Sequence, residues 1–149
     1  MEPIRGFEVV SAYAGEELAL PERKTAESAG YDIASAEDIV LEPQKVTLIP
    51  TGLKAFMGIG EYLAIHIRSG ISIRNSLLLI NGTGIIDSDY YNNEDNEGHI
   101  IIAVYNAGAE PFVIHKGERI AQGIFSHYLL VAEDEATGVR TGGIGSTGI

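Results

Sequence analysis

The chain has 149 residues, of which 45% are hydrophobic, and its 10 basic and 21 acidic residues give a formal net charge of −11. This composition indicates one globular domain, and the absence of cysteine excludes a disulfide framework, a thiolate metal site and a cysteine nucleophile. The acidic balance argues against nonspecific binding to nucleic acid or to an anionic membrane; because there is neither an apolar run that could span a bilayer nor a readable signal peptide, we expect a cytoplasmic location.

Short apolar runs that end at glycine, asparagine or proline predict β-strands along most of the chain. In chain order, these runs cover residues 45–49, 62–67, 76–80, 100–105, 112–115 and 120–130. Residues 71–75 are expected to form a short helical turn, whereas helical periodicity is otherwise nearly absent. The pattern is typical of an all-β sandwich or barrel.

Two segments differ from the strand-forming remainder. Residues 92–98 are polar and acidic, which predicts a protruding loop. Residues 138–149 contain five glycines and almost no side chains that could be buried. We therefore expect a single β domain over residues 1–137 and a flexible glycine-rich C-terminal arm over residues 138–149.

The tripeptide Arg68-Ser69-Gly70 lies at the end of a predicted strand. An arginine fork, a hydroxyl and a glycine that lets backbone N–H groups approach can form a small anion clamp. Most such tripeptides are plain turns, so this motif alone leaves both interpretations open.

The segment 81–90 begins with an Asn-Gly turn and leads into an apolar run. It suits a hairpin whose backbone is exposed to a ligand, and Asn81 offers both the donor and the acceptor that a base edge requires. Asp87 follows two isoleucines, which predicts a carboxylate at the edge of an apolar pocket. The alternative is a hairpin with two solvated aspartates.

The arm has the residue types of a flexible phosphate clasp, namely glycines, two hydroxyls and Arg140. By composition, the commoner alternative is a disordered terminus. The G-x-G-x-x-G pattern at residues 143–148 has no following helix, which a dinucleotide site requires, because the chain ends one residue later.

Taken together, the motifs resemble those of one family, the homotrimeric dUTPases. The resemblance extends from about Thr25 to the end of the chain. Five motifs in the family's order are a highly specific signal, although each is short. They occupy residues 28–32, 68–70, 81–90 and 117–122 and the glycine-rich arm.

The resemblance implies a fold, an assembly and a reaction. The fold is a distorted jelly-roll or β-clip-like barrel, and the assembly is a homotrimer whose active sites combine motifs from all three chains. The reaction is the hydrolysis of dUTP to dUMP and diphosphate with Mg²⁺, which limits uracil incorporation into DNA and supplies dUMP. Because Mg²⁺ keeps several waters and is held partly by substrate phosphates, a chain of net charge −11 can bind a triphosphate.

On the nucleoside side, the resemblance implies that Asp87 orients and deprotonates the water that attacks the α-phosphorus. The ring of Tyr90 would lie against the deoxyribose. Ile144, which takes the place of the family's stacking aromatic, would cover the base. The uracil edge would be read by Asn81 and by the backbone of Gly84, Ile85 and Ile86.

On the phosphate side, the resemblance implies that Asp32 reaches Mg²⁺ through water. Arg119 in the fourth motif would brace the fold. The phosphates would be held by Arg68, Ser69, Gly70, Gln122, Arg140, Ser146 and Thr147.

Particular residues distinguish a dUTPase from two alternative interpretations. A dCTP deaminase of the same fold usually carries Arg-Ser-Ser where this chain has Arg68-Ser69-Gly70, and uses a glutamate that the run 100–105 lacks. A dUTPase-like trimer that acts as a regulatory protein-binding module would explain the long segment 91–97 and Ile144. Retention of Asp87 favours the enzyme.

Overall fold

The computed structural model describes residues 4–143 and is built almost entirely of β-strands. Its single α-helix in that range is α1, Ser69–Asn75, and two 3₁₀ turns cover Ser11–Tyr13 and Ser88–Tyr90. The strands are β1 Gly6–Val9, β2 Tyr31–Ala34, β3 Ile39–Leu41, β4 Val46–Pro50, β5 Leu53–Phe56, β6 Glu61–Ile67, β7 Leu77–Leu79, β8 Gly84–Asp87, β9 Ile101–Asn106, β10 Phe112–Ile114 and β11 Arg119–His127.

The strands form four antiparallel sheets that make a distorted jelly-roll. The largest sheet has the order β2-β11-β6-β8, and a second has the order β4-β9-β7. Two hairpin-sized pairs, β1-β5 and β10-β3, complete the structure. The prediction of an all-β fold is confirmed. Among residues 4–143, no helix has the length and hydrophobicity that a membrane span requires.

The predicted strands agree with β4, β6, β7, β9, β10 and β11 to within one or two residues at most ends. The exception is the last one, which was predicted to reach residue 130 but ends at His127. Residues 128–130 pair with no strand in the described chain, and Leu129 is 96% exposed. The helical turn predicted at 71–75 is the helix α1.

The core lies between the inner faces of the two larger sheets. Alternate residues of β9 point inward, so that Ile102, Val104 and Asn106 are buried while their neighbours are partly exposed. Burial of each large aliphatic side chain contributes about 1.5–3 kcal/mol, which gives the rigid frame that holds both edges of the β2-β11-β6-β8 sheet. The fully buried aliphatic residues include Ile33, Leu41, Ile49, Leu63, Leu77, Ile100, Ile114 and Ile120.

The acidic segment 92–98 folds back onto the body of the protein, so the prediction of a protruding loop is wrong. The ammonium of Lys54 on β5 contacts Glu97 Oε2 at 2.7 Å and Asn92 Oδ1 at 2.5 Å. The backbone N–H of Ser11 donates to both carboxylate oxygens of Glu97. The hydrogen bond from Lys54 lowers the pKa of Glu97. These contacts fix the loop against β5 and the first 3₁₀ turn.

An ion pair joins the start of the described chain to β6. Arg5 Nη2 lies 2.6 Å from Glu61 Oε2, and the N–H of Gly58 donates to Glu61 Oε1 at 2.9 Å. The hydrogen bond from Arg5 is the main reason that the pKa of Glu61 is held at about 2.

This depressed pKa predicts an acid-dependent loss of stability. In the unfolded chain the Glu61 carboxyl has a pKa near 4.5. The pair therefore stabilises the fold fully above that pH and loses its effect as the pH falls toward 2. Glu61→Gln should lower the melting temperature at pH 7, and the gap to the wild type should narrow between pH 4.5 and pH 2. Thermal unfolding at several pH values measures this difference in melting temperature, with Glu17→Gln at an exposed position as the control. A difference that does not change with pH would contradict the prediction.

Candidate active site

The third motif forms the outer edge of the large sheet. Residue Gly82 has a φ of +76°, which suits glycine, and its N–H donates to the carbonyl of Leu79 at 2.9 Å. This turn leads into β8, which pairs with β6 on one side only. An edge strand keeps one row of backbone N–H and C=O groups free of partners in the sheet, so β8 can offer them to a ligand.

Next to β8 lies a mostly apolar cavity of about 340 Å³. This volume is at the lower end of the range for small-ligand pockets. A Cβ at Gly84 would lie 3.2 Å from Cβ of Ile65, its partner on β6, so glycine at this position avoids a tight contact between the two strands. The cavity brings together six of the seven residues predicted for the nucleoside and the catalytic base: Asn81, Gly84, Ile85, Ile86, Asp87 and Tyr90.

The side chain of Tyr90 forms part of the cavity wall and is 9% exposed. Its hydroxyl donates to the carbonyl of His99 at 2.6 Å and accepts from Nδ2 of Asn96 at 2.8 Å. Burial raises the pKa of Tyr90, so the phenol stays protonated and keeps its donor role. Asn96 was not singled out from the sequence, because its role depends on the loop folding back.

The arm of the same chain reaches the rim of this cavity. Arg140 Nη2 lies 2.6 Å from Asp87 Oδ2, and its Nε lies 2.7 Å from Asp89 Oδ1. The arginine side chain is only 13% exposed, whereas the two carboxylates are half exposed or more. A Cβ at Gly143 would lie 2.9 Å from the ring of Tyr90, so glycine is needed for the arm to approach this closely. Asp89 is a contact that the sequence did not assign to the site.

Five of the residues predicted for the phosphate side line a second pocket of about 260 Å³, whereas Arg140 lines the first cavity. Within it, Asp32 Oδ1 lies 3.7 Å from Nε of Arg68, and Asp32 Oδ2 lies 3.3 Å from Nη1 of Arg119. The guanidinium of Arg68 also donates from Nη1 to the main-chain carbonyl of Arg119 at 3.3 Å. The pocket is lined by Lys24, Ser28, Gly30, Asp32, Arg68, Ser69, Gly70 and Gln122. Of these, Lys24, Ser28 and Gly30 were not predicted as site residues.

The two pockets share no lining residue and lie at opposite edges of one sheet. Asp32 is on β2 and Asp87 is on β8, with β11 and β6 between them. Three strand spacings correspond to about 14 Å. In the register of the sheet, Asp32 aligns with His66 of β6, whereas Asp87 aligns with Tyr62 of the same strand. These two positions on β6 are separated by roughly 13 Å along the strand. Within one chain, the carboxylate of Asp87 and the phosphate-side pocket are therefore far apart.

Three predicted site residues, Ile144, Ser146 and Thr147, lie outside the described residues. Within residues 4–143, no cluster of three or more acidic, histidine or cysteine side chains could hold a metal ion by itself. Asp32 nevertheless supplies a carboxylate oxygen inside the phosphate-side pocket. This arrangement fits Mg²⁺, which needs only one or two carboxylates when phosphates and water complete its shell.

Comparison with known proteins identifies relatives over nearly the whole chain. The sequence model of the dUTPase family matches residues 16–148. A deoxyuridine 5'-triphosphate nucleotidohydrolase of Lactococcus lactis subsp. lactis (strain IL1403) is 50% identical over 147 residues, which cover 97% of this chain and 98% of the relative. Another, from Desulfitobacterium hafniense (strain DSM 10664 / DCB-2), is 36% identical over 158 residues, and the match covers 98% of this chain and 99% of that relative.

Solved structures agree with these relatives. The crystal structure of the dUTPase from Streptococcus mutans has a TM-score of 0.80 and 44% identity, and the match covers 85% of this chain and 98% of that one. A mutant dUTPase from phage phi11 of S. aureus, which coordinates a structural Mg(II) ion, has a TM-score of 0.72 and 23% identity over 91% of this chain and 98% of that one. Because its identity is only 23%, the similarity to the phage protein shows a shared fold alone.

Proposed function

The chain belongs to the dUTPase family and is an enzyme that hydrolyses dUTP, and from that premise we propose how its own residues divide the reaction. The observation that carries the proposal is the cavity beside β8. It combines apolar walls, a free strand edge, the amide of Asn81 and, at its rim, the carboxylate of Asp87.

Asp87 acts as the general base. Its side chain is 50% exposed, so a water molecule can reach the carboxylate. The carboxylate accepts a proton as the water oxygen attacks the α-phosphorus, the bond from that phosphorus to the bridging oxygen breaks, and diphosphate leaves. Arg140 donates to Oδ2 of this carboxylate at 2.6 Å, so Oδ1 is the oxygen that takes the proton while this contact is in place.

The nucleoside is recognised by groups of β8 and the turn before it. Asn81 offers a donor and an acceptor, and the backbone of Gly84, Ile85 and Ile86 supplies further ones to the uracil edge. The apolar wall leaves little room for the extra methyl group of thymine. The ring of Tyr90 lies against the sugar and excludes a ribose 2′-hydroxyl.

The triphosphate is held by the second pocket and the arm. Arg68, Ser69, Gly70 and Gln122 line that pocket, and the arm contributes Arg140, Ser146 and Thr147, with Ile144 over the base. In this proposal residues 1–137 are the β domain and residues 138–149 the arm that completes the site. Asp32 would hold Mg²⁺ through water, and the ion would neutralise phosphate charge.

A homotrimer with shared sites is part of the same proposal. The estimated distance between Asp87 and the phosphate-side pocket is too long for one nucleotide to use both on a single chain, which supports the assembly of each site from different chains. The cytoplasmic location expected from the sequence stays a prediction.

The proposal is tested by measuring diphosphate release from dUTP, dCTP, dTTP and UTP. We expect kcat/KM for dUTP to exceed the other three by on the order of 10²-fold or more, since each rival nucleotide leaves a polar group unpaired or clashes with the cavity. Deamination of dCTP, followed as formation of dUTP, would instead support the deaminase alternative. No turnover of any nucleotide would support the regulatory-module alternative.

A further inference from the structure

The loop of residues 91–98 holds Tyr90 from two sides. The amide nitrogen of Asn96 donates to the phenolic oxygen of Tyr90 at 2.8 Å. The amide nitrogen of Asn93 donates to the main-chain carbonyl of Tyr90 at 2.7 Å. With the bond from the phenol to His99, both the ring and the backbone of this residue are fixed.

Hydrogen bonds inside the loop set the orientation of the Asn96 amide. Its Oδ1 accepts from Nδ2 of Asn93 at 2.8 Å and from the N–H of Gly98 at 3.1 Å. The oxygen is therefore occupied, and the NH₂ group faces Tyr90 as a donor. Gly98 itself has a φ of +89°, and a Cβ there would lie 2.8 Å from the carbonyl oxygen of Tyr90. The tight return of the chain is specific to glycine.

The loop is in turn anchored to the frame of the protein. Glu97 and Asn92 both contact the ammonium of Lys54, whose side chain is only 11% exposed. The position of Asn96 is therefore determined by β5 and not by the loop alone.

We propose that Asn96 is a positioning residue for sugar selectivity, which fixes the Tyr90 ring so that it excludes a ribose 2′-hydroxyl. This inference rests on the proposed role of Tyr90 against the deoxyribose. When two hydrogen bonds hold the hydroxyl of Tyr90, the ring cannot move aside to make room for the ribose 2′-hydroxyl of UTP. A ring that has lost one of them can move, and displacements near 1 Å are enough to change reactivity strongly.

The test compares kcat/KM for dUTP and UTP in the wild type, Asn96→Ala, Tyr90→Phe and the double variant. Asn96→Ala should lower the dUTP/UTP ratio roughly tenfold, mainly by raising kcat/KM for UTP. Tyr90→Phe should lower it at least as much, because it removes both bonds of the phenol. The double variant should be no worse than Tyr90→Phe, since Asn96 acts through that hydroxyl.

Two further variants keep the outcome decisive. Glu94→Ala alters an exposed side chain of the same loop and should keep the wild-type ratio. If Asn96→Ala melts much earlier than the wild type, Asn96→Asp replaces it, because it removes the N–H donor but retains the oxygen that holds the loop together.

Three results overturn the inference. They are an unchanged ratio in Asn96→Ala, an equal loss for both nucleotides, and effects of Asn96→Ala and Tyr90→Phe that multiply in the double variant. A wild-type enzyme that hydrolyses dUTP and UTP alike overturns the role of Tyr90 itself, and this inference with it.

Discussion

Asp87→Asn is expected to lower kcat for dUTP on the order of 10²-fold or more, while nucleotide binding is largely retained. Asparagine keeps the shape of the side chain but cannot accept the proton of the attacking water. Steady-state turnover gives kcat, and titration with a non-hydrolysable dUTP analogue gives the affinity. Because Asp87 also pairs with Arg140, the variant changes the resting contacts of the arm as well as the base.

The neighbouring Asp89→Asn separates these two effects. Asp89 holds the same arginine at 2.7 Å but is not at the predicted position of the base. We expect it to cost much less in kcat than Asp87→Asn. Equal losses in the two variants would mean that the charge presented to Arg140 matters, and the assignment of Asp87 as the base would fail.

The second large effect is the recovery of activity when two inactive chains are combined. Asp87→Asn disables the nucleoside side and Arg68→Ala disables the phosphate side, so each variant alone should be almost inactive. If a site takes its two sides from different chains, refolding a 1:1 mixture should leave about a quarter of the sites intact. Diphosphate release before and after joint refolding measures the recovery.

A matched control distinguishes shared sites from partial repair. The doubly substituted chain, Asp87→Asn with Arg68→Ala, is refolded 1:1 with the wild type. Shared sites predict about a quarter of wild-type activity, whereas sites within single chains predict about a half. No recovery in the first mixture together with a half in the second would exclude the shared arrangement.

The strands that were predicted from the sequence are those that contain an apolar run bounded by glycine, asparagine or proline. Strand β9 shows a continuous apolar run over residues 101–105, and β6, which is central in its sheet, shows one over residues 62–65. The strands that were not predicted, β1, β2, β3 and β5, have only three or four residues. Three of them contain a charged residue, namely Glu8, Asp32 or Lys54. Residues 128–130 show the opposite error: they are apolar enough to predict a strand, but hydrophobicity alone does not provide a partner strand.

The residues of the site also divide into those that could be identified from the sequence and those that could not. The motif residues could be identified because the resemblance assigns them one by one, and the described ones lie in the two pockets. Lys54 could not, because it contacts Asn92 and Glu97, which are 38 and 43 residues away in the sequence. Asn93 and Asn96 are only three and six residues from the tyrosine that they contact, but the contacts depend on how the loop folds. A local signal was present only in the asparagines and Gly98, which are residue types that tolerate the positive φ of a tight turn.

The pairing of Lys54 with Glu97 beneath the loop also bears on how the nucleotide enters and leaves. Lifting the loop would break the ion pair between Lys54, which is 11% exposed, and Glu97, which is 31% exposed, together with the hydrogen bonds from the N–H of Ser11 to the same carboxylate. The contacts of Arg140 are with carboxylates that are half exposed or more, and such pairs contribute little. Opening of the site should therefore proceed by movement of the arm past a stationary loop. Where product release limits turnover, its rate is then set by how readily Arg140 leaves Asp87 and Asp89.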